Sequence, residues 1–180
     1  MTWLEDAERI DHAIYGAVAT TPTPSLDTAM RRLSSAADHS KLSMTAAVVL
    51  TMFGGRRGRR AARTGVASVA MTSAIVNLAV KPISRRNRPE PPEDHAPARK
   101  LEIPTSRSFP SGHTAAAVAF ATGVGRSAPL AAVPLHLLAA TVGYSRIHTG
   151  VHYPGDVIAG GVMGAIIADL TSAVLDRRVA

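Results

Sequence analysis

The sequence predicts an all-α integral membrane protein, a helical bundle of about five transmembrane helices preceded by an interfacial helical segment. Three observations support this fold class. Of the 180 residues, 46% are hydrophobic, and the mean hydropathy is positive at +0.11. Aromatic residues make up only 4% of the chain, so the core must depend on small residues that allow helices to approach closely. Clusters of arginine also separate the apolar segments, as in the cytoplasmic loops of membrane proteins.

The predicted elements can be read in order along the chain. Residues 1–41 are expected to form interfacial helix, interrupted where Pro22 and Pro24 forbid a continuous helix. Five apolar segments follow at residues 42–53, 64–80, 114–125, 128–145 and 157–175. Several are shorter than the ~20 residues of a transmembrane helix, and the first meets this requirement least well. We expect residues 1–180 to form one domain, with its chemistry between residues 81 and 156.

The positions of the arginines predict the topology. The cytoplasmic side would carry the arginines of residues 56–63, Arg126, Arg177 and Arg178. The 81–110 loop and residues 143–156 would then share the outer side. The N-terminus is acidic and lacks the basic-then-apolar pattern of a signal peptide. These features predict a multi-pass protein of the cytoplasmic membrane with its polar site on the extracytoplasmic face.

Composition excludes several classes of function. The chain has 20 Lys+Arg against 13 Asp+Glu, a net charge of +7, which first indicates a nucleic-acid binder. However, the densest basic cluster separates two apolar segments and contains no aromatic residue for base stacking, so we expect no nucleic-acid partner. The absence of cysteine excludes disulfides, thiolate catalysis and cysteine-bound zinc.

Three charged segments lie at the ends of apolar segments, where ionisable side chains are costly and indicate a functional site. They are KPISRRNRP at residues 81–89, SFPSGH at 108–113 and SRIHTGVHYPGD at 145–156. Among their side chains, Lys81, Arg88 and Arg146 provide three cations, and the two guanidinium groups match phosphate oxygens with paired hydrogen bonds. We therefore expect an oxyanion ligand.

A helix N-terminus is expected at the same site. Ser111 and Gly112 precede an apolar run, so their backbone N–H groups would open a helix and attract an anion. Anion binding alone would not require His113 and His152. Two imidazoles instead suit catalysis, because one can attack while the other donates a proton. Asp156 follows in the first turn of a helix that Pro154 could begin, and it could orient His152. This set of residues indicates phosphoryl transfer.

These segments resemble the type 2 phosphatidic acid phosphatase (PAP2) superfamily, whose pattern is K-x6-RP, then PSGH, then SR-x5-H-x3-D. The matching residues are Lys81, Arg88 and Pro89, then Pro110 to His113, then Ser145, Arg146, His152 and Asp156. All three motifs occur in the family's order and spacing, over roughly residues 81–156. The first 60 residues show only general similarity to the family.

The resemblance implies a role for each matched residue. His152 would be the nucleophile that forms a phosphohistidine, Asp156 would orient it, and His113 would protonate the leaving alkoxide. The phosphate would be held by Lys81, Arg88, Ser111, Gly112 and Arg146. Electrostatic stabilisation by these groups would replace the charge neutralisation that Mg²⁺ provides elsewhere, so the resemblance implies no metal and no cofactor.

Two features depart from the usual family pattern. Many relatives carry an aromatic residue at the position of His148, which here creates an alternative His-x3-His-x3-Asp metal site with His152 and Asp156. Gly150 and Pro154 would break the helix that this metal site needs, so we expect His148 to line the pocket as a spare polar group. Family members also usually have six transmembrane helices, one more than is predicted here.

Residues outside the motifs receive simpler interpretations. Arg85 and Arg86 are expected to face lipid headgroups. Gly160 and Gly164 form a G-x3-G pattern that usually serves packing within one chain, with a homodimer seam as the less frequent alternative. The solvated, proline-rich loop at residues 89–104 is the expected headgroup selector.

Four functions remain open at this stage. The first is hydrolysis of a phosphomonoester on a membrane lipid, with phosphatidic acid or phosphatidylglycerol phosphate as examples. The second is action on a polyprenyl diphosphate or a glycosylated polyprenyl phosphate. A vanadate-dependent haloperoxidase is disfavoured because those relatives are soluble and larger. A non-catalytic phospholipid-binding protein is disfavoured because binding would not require His113, His152 and Asp156 together.

Overall fold

The computed structural model describes residues 3–90, 99, 101 and 105–177, without the side chain of Leu4. The described residues are helical and include no strand. The helices are α1 (Trp3–Thr20), α2 (Pro24–Ala36), α3 (Lys41–Phe53), α4 (Gly55–Ala74), α5 (Gly112–Gly125), α6 (Pro129–His148) and α7 (Pro154–Arg177). Helix α4 continues through a π-helical turn at Ile75–Val80 and a last α-turn at Lys81–Ile83. A 3₁₀ turn, Asp38–Ser40, joins α2 to α3.

The N-terminal segment is helical and is interrupted where the sequence predicts. Residues 21–23 separate α1 from α2. Pro24 begins α2, at a position where its missing N–H needs no partner. Trp3, Ile10 and Ile14 project from α1 as exposed apolar side chains. Such an exposed apolar surface fits an interfacial helix, although its place at the membrane surface stays a prediction.

Three helices of the described part of the chain are long and apolar enough to cross a membrane: Gly55–Ile83, Pro129–His148 and Pro154–Arg177. Helices α3 and α5 contain 13 and 14 residues, which is short for a span of ~20 residues. The expected number of about five transmembrane helices therefore stays a prediction. Large apolar side chains on the long helices, including Leu78, Leu137 and Leu170, are exposed and would contact lipid.

Helix α5 is the centre of the bundle and packs against α4, α6 and α7. Its contact with α7 is close because α7 presents glycines. A Cβ atom at Gly164 would lie 2.2 Å from the Ala115 carbonyl oxygen, and one at Gly160 would lie 2.5 Å from the Ser111 carbonyl oxygen. The G-x3-G pattern thus packs within one chain, as expected, and sets the distance between the starts of α5 and α7.

Charged contacts define two ends of the bundle. Arg60 pairs with Asp176 at 2.8 Å, and Arg126 pairs with Asp169 at 2.8 Å. The arginine cluster at the start of α4 therefore lies at the same end as the C-terminus of α7. The three motifs gather at the other end. The 89–104 loop falls mostly outside the described residues, but Arg99 within it is described and buried.

Candidate active site

The three motifs meet because each lies at the end of a helix. Lys81 begins the last turn of the α4 helix, and Gly112 begins α5. Arg146 lies in the last turn of α6, His152 in the following loop, and Asp156 in the first turn of α7. The predicted helix starts at Ser111/Gly112 and at Pro154 are confirmed. The site is therefore assembled from loop and helix-end residues around α5.

The two nitrogens of His152 face different groups. Nδ1 lies 3.5 Å from Oδ2 of Asp156 and 3.4 Å from the Ser108 hydroxyl. Nε2 lies 3.2 Å from the Arg88 guanidinium. A guanidinium can only donate, so this contact requires an unprotonated Nε2 and assigns the ring proton to Nδ1. Asp156 can thus orient the ring while the lone pair of Nε2 faces the cations.

Asp156 is fully buried, and its carboxylate is held by several donors. The Ser108 hydroxyl and the Tyr153 backbone N–H, at 2.9 Å, both donate to Oδ2. Arg86 donates to Oδ1 at 3.1 Å. A buried carboxylate needs such compensation to remain ionised. The carboxylate that faces His152 is therefore fixed in position by neighbours.

Arg86 was missed by the sequence analysis, and the expectation that it faces lipid headgroups is wrong. Its guanidinium bridges Asp156 and Asp11 of α1, the latter at 2.6 Å, and lies 4.6 Å from the Tyr153 ring centroid. The other oxygen of Asp11 accepts from the Gly155 N–H at 2.7 Å. Arg85, in contrast, is exposed, and its contact with lipid headgroups stays a prediction. Helix α1 is thereby connected to the first turn of α7.

Two of the predicted phosphate ligands, Lys81 and Arg88, share contacts with Ser106. Lys81 Nζ lies 3.5 Å from its hydroxyl, and Arg88 donates to the hydroxyl at 3.1 Å and to the carbonyl at 3.0 Å. Arg88 also donates to the Val151 carbonyl at 2.7 Å. These bonds hold the guanidinium beside His152, and burial lowers the pKa of Arg88 below its ordinary value.

Arg146 is almost completely buried. It donates to the Ser34 hydroxyl at 2.6 Å and lies 3.9 Å from the carboxylate of Asp38. Its Nε has no hydrogen-bond partner among the described residues. A buried guanidinium with donor capacity left over suits an oxyanion.

Ser111 and Gly112 have different surroundings. Ser111 caps α5: its hydroxyl lies 3.0 Å from the Thr114 hydroxyl, and its N–H donates to the Asp156 carbonyl at 2.9 Å. Ser111 is completely buried and engaged within the protein. Gly112 instead lines the pocket beside Lys81. Of this pair, Gly112 is better placed to contact a ligand.

A pocket of about 170 Å³ lies beside these residues, lined by the start of α5, the end of the α4 helix and the α2–α3 turn. Lys81, Gly112 and His113 line it together with His39 and Ser40. His113 also contacts a residue outside the three motifs. Its Nε2 lies 2.8 Å from Oδ1 of Asp38, a residue that the sequence analysis did not single out.

Burial and nearby cations keep both histidines neutral in the ligand-free protein. Burial lowers the pKa of His152 to about 4; Arg88 and Arg146 lower it further, and Asp156 opposes them. Burial likewise lowers the pKa of His113 to about 4, where Arg146 and Lys81 add to the effect and Asp38 opposes it. A neutral imidazole is required for a nucleophile, whereas a general acid requires a proton, which the charge of a bound phosphate would favour.

His148 does not join this site. It is buried, and its Nε2 lies 3.0 Å from Oδ1 of Asp27, so the expectation that it lines the pocket is wrong. Asp27 also accepts from Arg99 at 2.7 Å. Within the described part of the chain, no group of three histidine, aspartate or glutamate side chains is arranged to hold a metal ion. The alternative metal site with His152 and Asp156 has no geometric support.

The fold and the site define a class of protein: a helical membrane protein that gathers two histidines, an aspartate and several cations at one end, as phosphoryl transfer requires. The PAP2 superfamily model matches residues 62–180. The chain therefore belongs to the PAP2 superfamily, and the predicted all-α membrane phosphatase is confirmed.

Individual relatives extend the match beyond the motifs. Over 165 residues the chain is 36% identical to the decaprenylphosphoryl-5-phosphoribose phosphatase of Mycolicibacterium smegmatis, covering 87% of this chain and 84% of that protein. A transmembrane PAP2 type phosphatidylglycerolphosphate phosphatase from Bacillus subtilis has a similar structure, with a TM-score of 0.73 and 25% identity over 97% of this chain and 88% of that one. Aquifex aeolicus LpxE shares the fold, with a TM-score of 0.72 and 24% identity over 88% of this chain and 92% of that one.

Proposed function

We propose that this lipid phosphatase hydrolyses a phosphomonoester through a phosphohistidine on His152, without a metal ion. The observation that carries the proposal is the arrangement around the His152 ring. Nδ1 faces Asp156 while Nε2 faces Arg88, so the lone pair is directed toward the group that would bind phosphate oxygens. A purely structural histidine in a buried site would not need a carboxylate on one side and a guanidinium on the other.

The proposed reaction has two steps, and His113 returns to its starting protonation state after the second. Nε2 of His152 attacks phosphorus, the bond to the ester oxygen breaks, and His113 gives its proton to the leaving alkoxide. Water next attacks the phosphohistidine, the N–P bond breaks, and His113 takes a proton from the water. The negative charge would be stabilised throughout by Lys81, Arg88, Arg146 and the N–H of Gly112.

His113 borders the apolar interior of the bundle. It lines a cavity of about 20 Å³ together with apolar side chains of α3, α5 and α6, including Leu42, Phe120, Leu135 and Leu138. This cavity has room for about one water molecule, so a lipid tail would lie along the exposed apolar faces of the helices while the phosphate stays with the cations.

For the substrate, we favour a glycosylated polyprenyl phosphate that carries a phosphomonoester on its sugar. The relative from M. smegmatis supports this choice, since its name describes such a phosphatase and most of both chains align. A polyprenyl diphosphate is the alternative substrate, which the same catalytic residues could hydrolyse. The site would lie on the extracytoplasmic face of the cytoplasmic membrane, because the arginine-rich end of the bundle is opposite.

The experiment is phosphate release by detergent-purified protein in EDTA, from a panel of lipid monophosphates, lipid diphosphates and a polyprenyl phosphoribose phosphate. His152→Ala is compared with His136→Ala, which removes a histidine whose hydrogen bonds to the described residues lie within α5 and α6. We expect release that survives EDTA, persists in His136→Ala and disappears in His152→Ala. Loss of activity in EDTA, or full activity in His152→Ala, would contradict the mechanism. No release from any lipid would favour a binding protein.

A further inference from the structure

Asp38 lies in the active site although none of the three motifs contains it. It begins the 3₁₀ turn between α2 and α3, and its Oδ1 lies 2.8 Å from Nε2 of His113. The same oxygen lies 3.9 Å from Arg146. Its side chain is 41% exposed, compared with 25% for His113. The contact joins residues 75 positions apart in the chain.

The backbone around Asp38 is held in an unusual conformation. His39 and Ser40, the next two residues, have φ angles of 55° and 57°, in the left-handed region that non-glycine residues rarely adopt. Such residues are costly and persist where the surroundings require them, often at functional sites. Both residues also line the pocket that contains His113. The left-handed turn thus forms part of the pocket wall beside His113.

The charges around His113 create a requirement that Asp38 can meet. The charged groups that face His113 are Arg146, Lys81 and Asp38, and the two cations disfavour a protonated imidazole. A general acid must nevertheless hold a proton when the leaving group departs. Asp38 is the one carboxylate of the described residues that contacts His113. Its negative charge and its hydrogen bond both favour the protonated ring.

We propose that Asp38 is a positioning residue for His113: it stabilises the imidazolium and holds Nε2, which leaves Nδ1 to protonate the leaving group. The proposal rests on the function proposed above. With this role for Asp38, each of the two catalytic histidines has its own carboxylate partner. Asp156 orients the nucleophile, and Asp38 supports the acid. Because His113 regains its proton from water in the second step, the cycle needs no further proton donor.

The test compares substrates that differ in their need for a general acid. An alkyl or lipid phosphate has a poor leaving group, whereas p-nitrophenyl phosphate leaves without protonation. General acid catalysis contributes about 10²- to 10⁴-fold, so we expect Asp38→Asn to lose about 10- to 100-fold in kcat on the lipid phosphate. On p-nitrophenyl phosphate we expect a loss of no more than about threefold, because that step needs no acid. The alkaline limb of the pH profile on the lipid phosphate should move to lower pH.

Three controls separate the possible failures. Asp176→Asn removes an exposed carboxylate at the opposite end of the bundle and should leave both activities unchanged. His152→Ala should abolish both activities, and its failure to do so would overturn the proposed function rather than the role of Asp38. Asp38→Glu retains the charge and should keep activity on the lipid phosphate, even if Asp38→Asn does not fold. Equal losses on both substrates in Asp38→Asn, no loss on either, or an Asp38→Glu variant as impaired as Asp38→Asn would overturn the proposal.

Discussion

The buried ion pair between Arg99 and Asp27 allows a quantitative prediction about stability. Arg99 is 1% exposed, and its Nε donates to Asp27 at 2.7 Å. Its other nitrogens donate to the carbonyls of Val18, Ala19 and Thr21 and to the Thr23 hydroxyl. All of these acceptors belong to α1, α2 and the turn between them. One arginine thus connects the 89–104 loop to both N-terminal helices.

The perturbation is Arg99→Met, which keeps an apolar side chain but removes every donor and leaves Asp27 buried. Removing one partner of a buried pair costs about 3–5 kcal/mol, because the other charge is left uncompensated. Asp27 retains bonds from Thr23 at 2.8 Å and His148 at 3.0 Å, which places the expected cost at the lower end of that range. A chain of this length loses about 2–4 °C in Tm per kcal/mol, so a cost of about 3 kcal/mol should lower Tm by roughly 6–12 °C.

The assay is thermal unfolding of the purified protein in detergent micelles. The double variant Arg99→Met/Asp27→Leu should recover much of the loss, since replacing both partners by apolar groups is often neutral or stabilising. Arg107→Met is the control, because the Arg107 side chain is exposed and, among the described residues, donates to the exposed Asn87 alone. A single variant that unfolds at the wild-type temperature would refute the reasoning. So would a double variant less stable than the single one.

Three further predictions concern positioning, packing and pH. Arg86→Gln should lower kcat by about 10- to 100-fold with little change in KM, since a hydrogen bond to a charged group contributes about 1.5–3 kcal/mol. The control Arg85→Gln should leave kcat unchanged, and equal kinetics for the two variants would contradict the prediction. Gly164→Ala should destabilise the fold by about 1–3 kcal/mol in thermal unfolding, because α7 must move away from α5. Gly161→Ala should be tolerated, because the added Cβ atom would lie at an ordinary contact distance of 3.8 Å from its nearest neighbour. Burial lowers the pKa of His152 to about 4 from 6.5. Between pH 6.5 and about 4 the unfolded chain binds more protons than the folded protein, so stability should fall as the pH decreases through this window. His152→Gln should therefore flatten the curve of Tm against pH, and parallel curves for the two proteins would contradict the prediction.

The sequence predicts the parts of the site that obey local rules. The start of α5 follows from a capping serine before an apolar run, and the start of α7 follows from a proline at the first helical position. Both place motif residues at helix ends. His152 and Asp156 are four residues apart, so their proximity requires no knowledge of the tertiary fold.

The contacts made by the N-terminal helices could not be predicted in this way. Asp11 meets Arg86 and Asp38 meets His113, in each case across 75 residues of chain. Neither aspartate lies in a motif or in a periodic pattern, and both look like ordinary surface charges in the sequence. Arg86 was misread for the same reason, since its partners come from α1 and α7. Only the packing of α1 and α2 against the bundle brings these groups together.

The proposed mechanism requires His152 to carry the phosphoryl group during turnover. The most direct test is to mix the protein with ³²P-labelled lipid phosphate in EDTA and quench within one turnover in alkali, which preserves phosphohistidine. We expect a labelled protein that loses its label in acid, and no label in His152→Ala. We also expect His113→Ala to accumulate label from p-nitrophenyl [³²P]phosphate, since that leaving group needs no proton donor. Turnover without any labelled protein, or label that persists in His152→Ala, would contradict a phosphohistidine on His152.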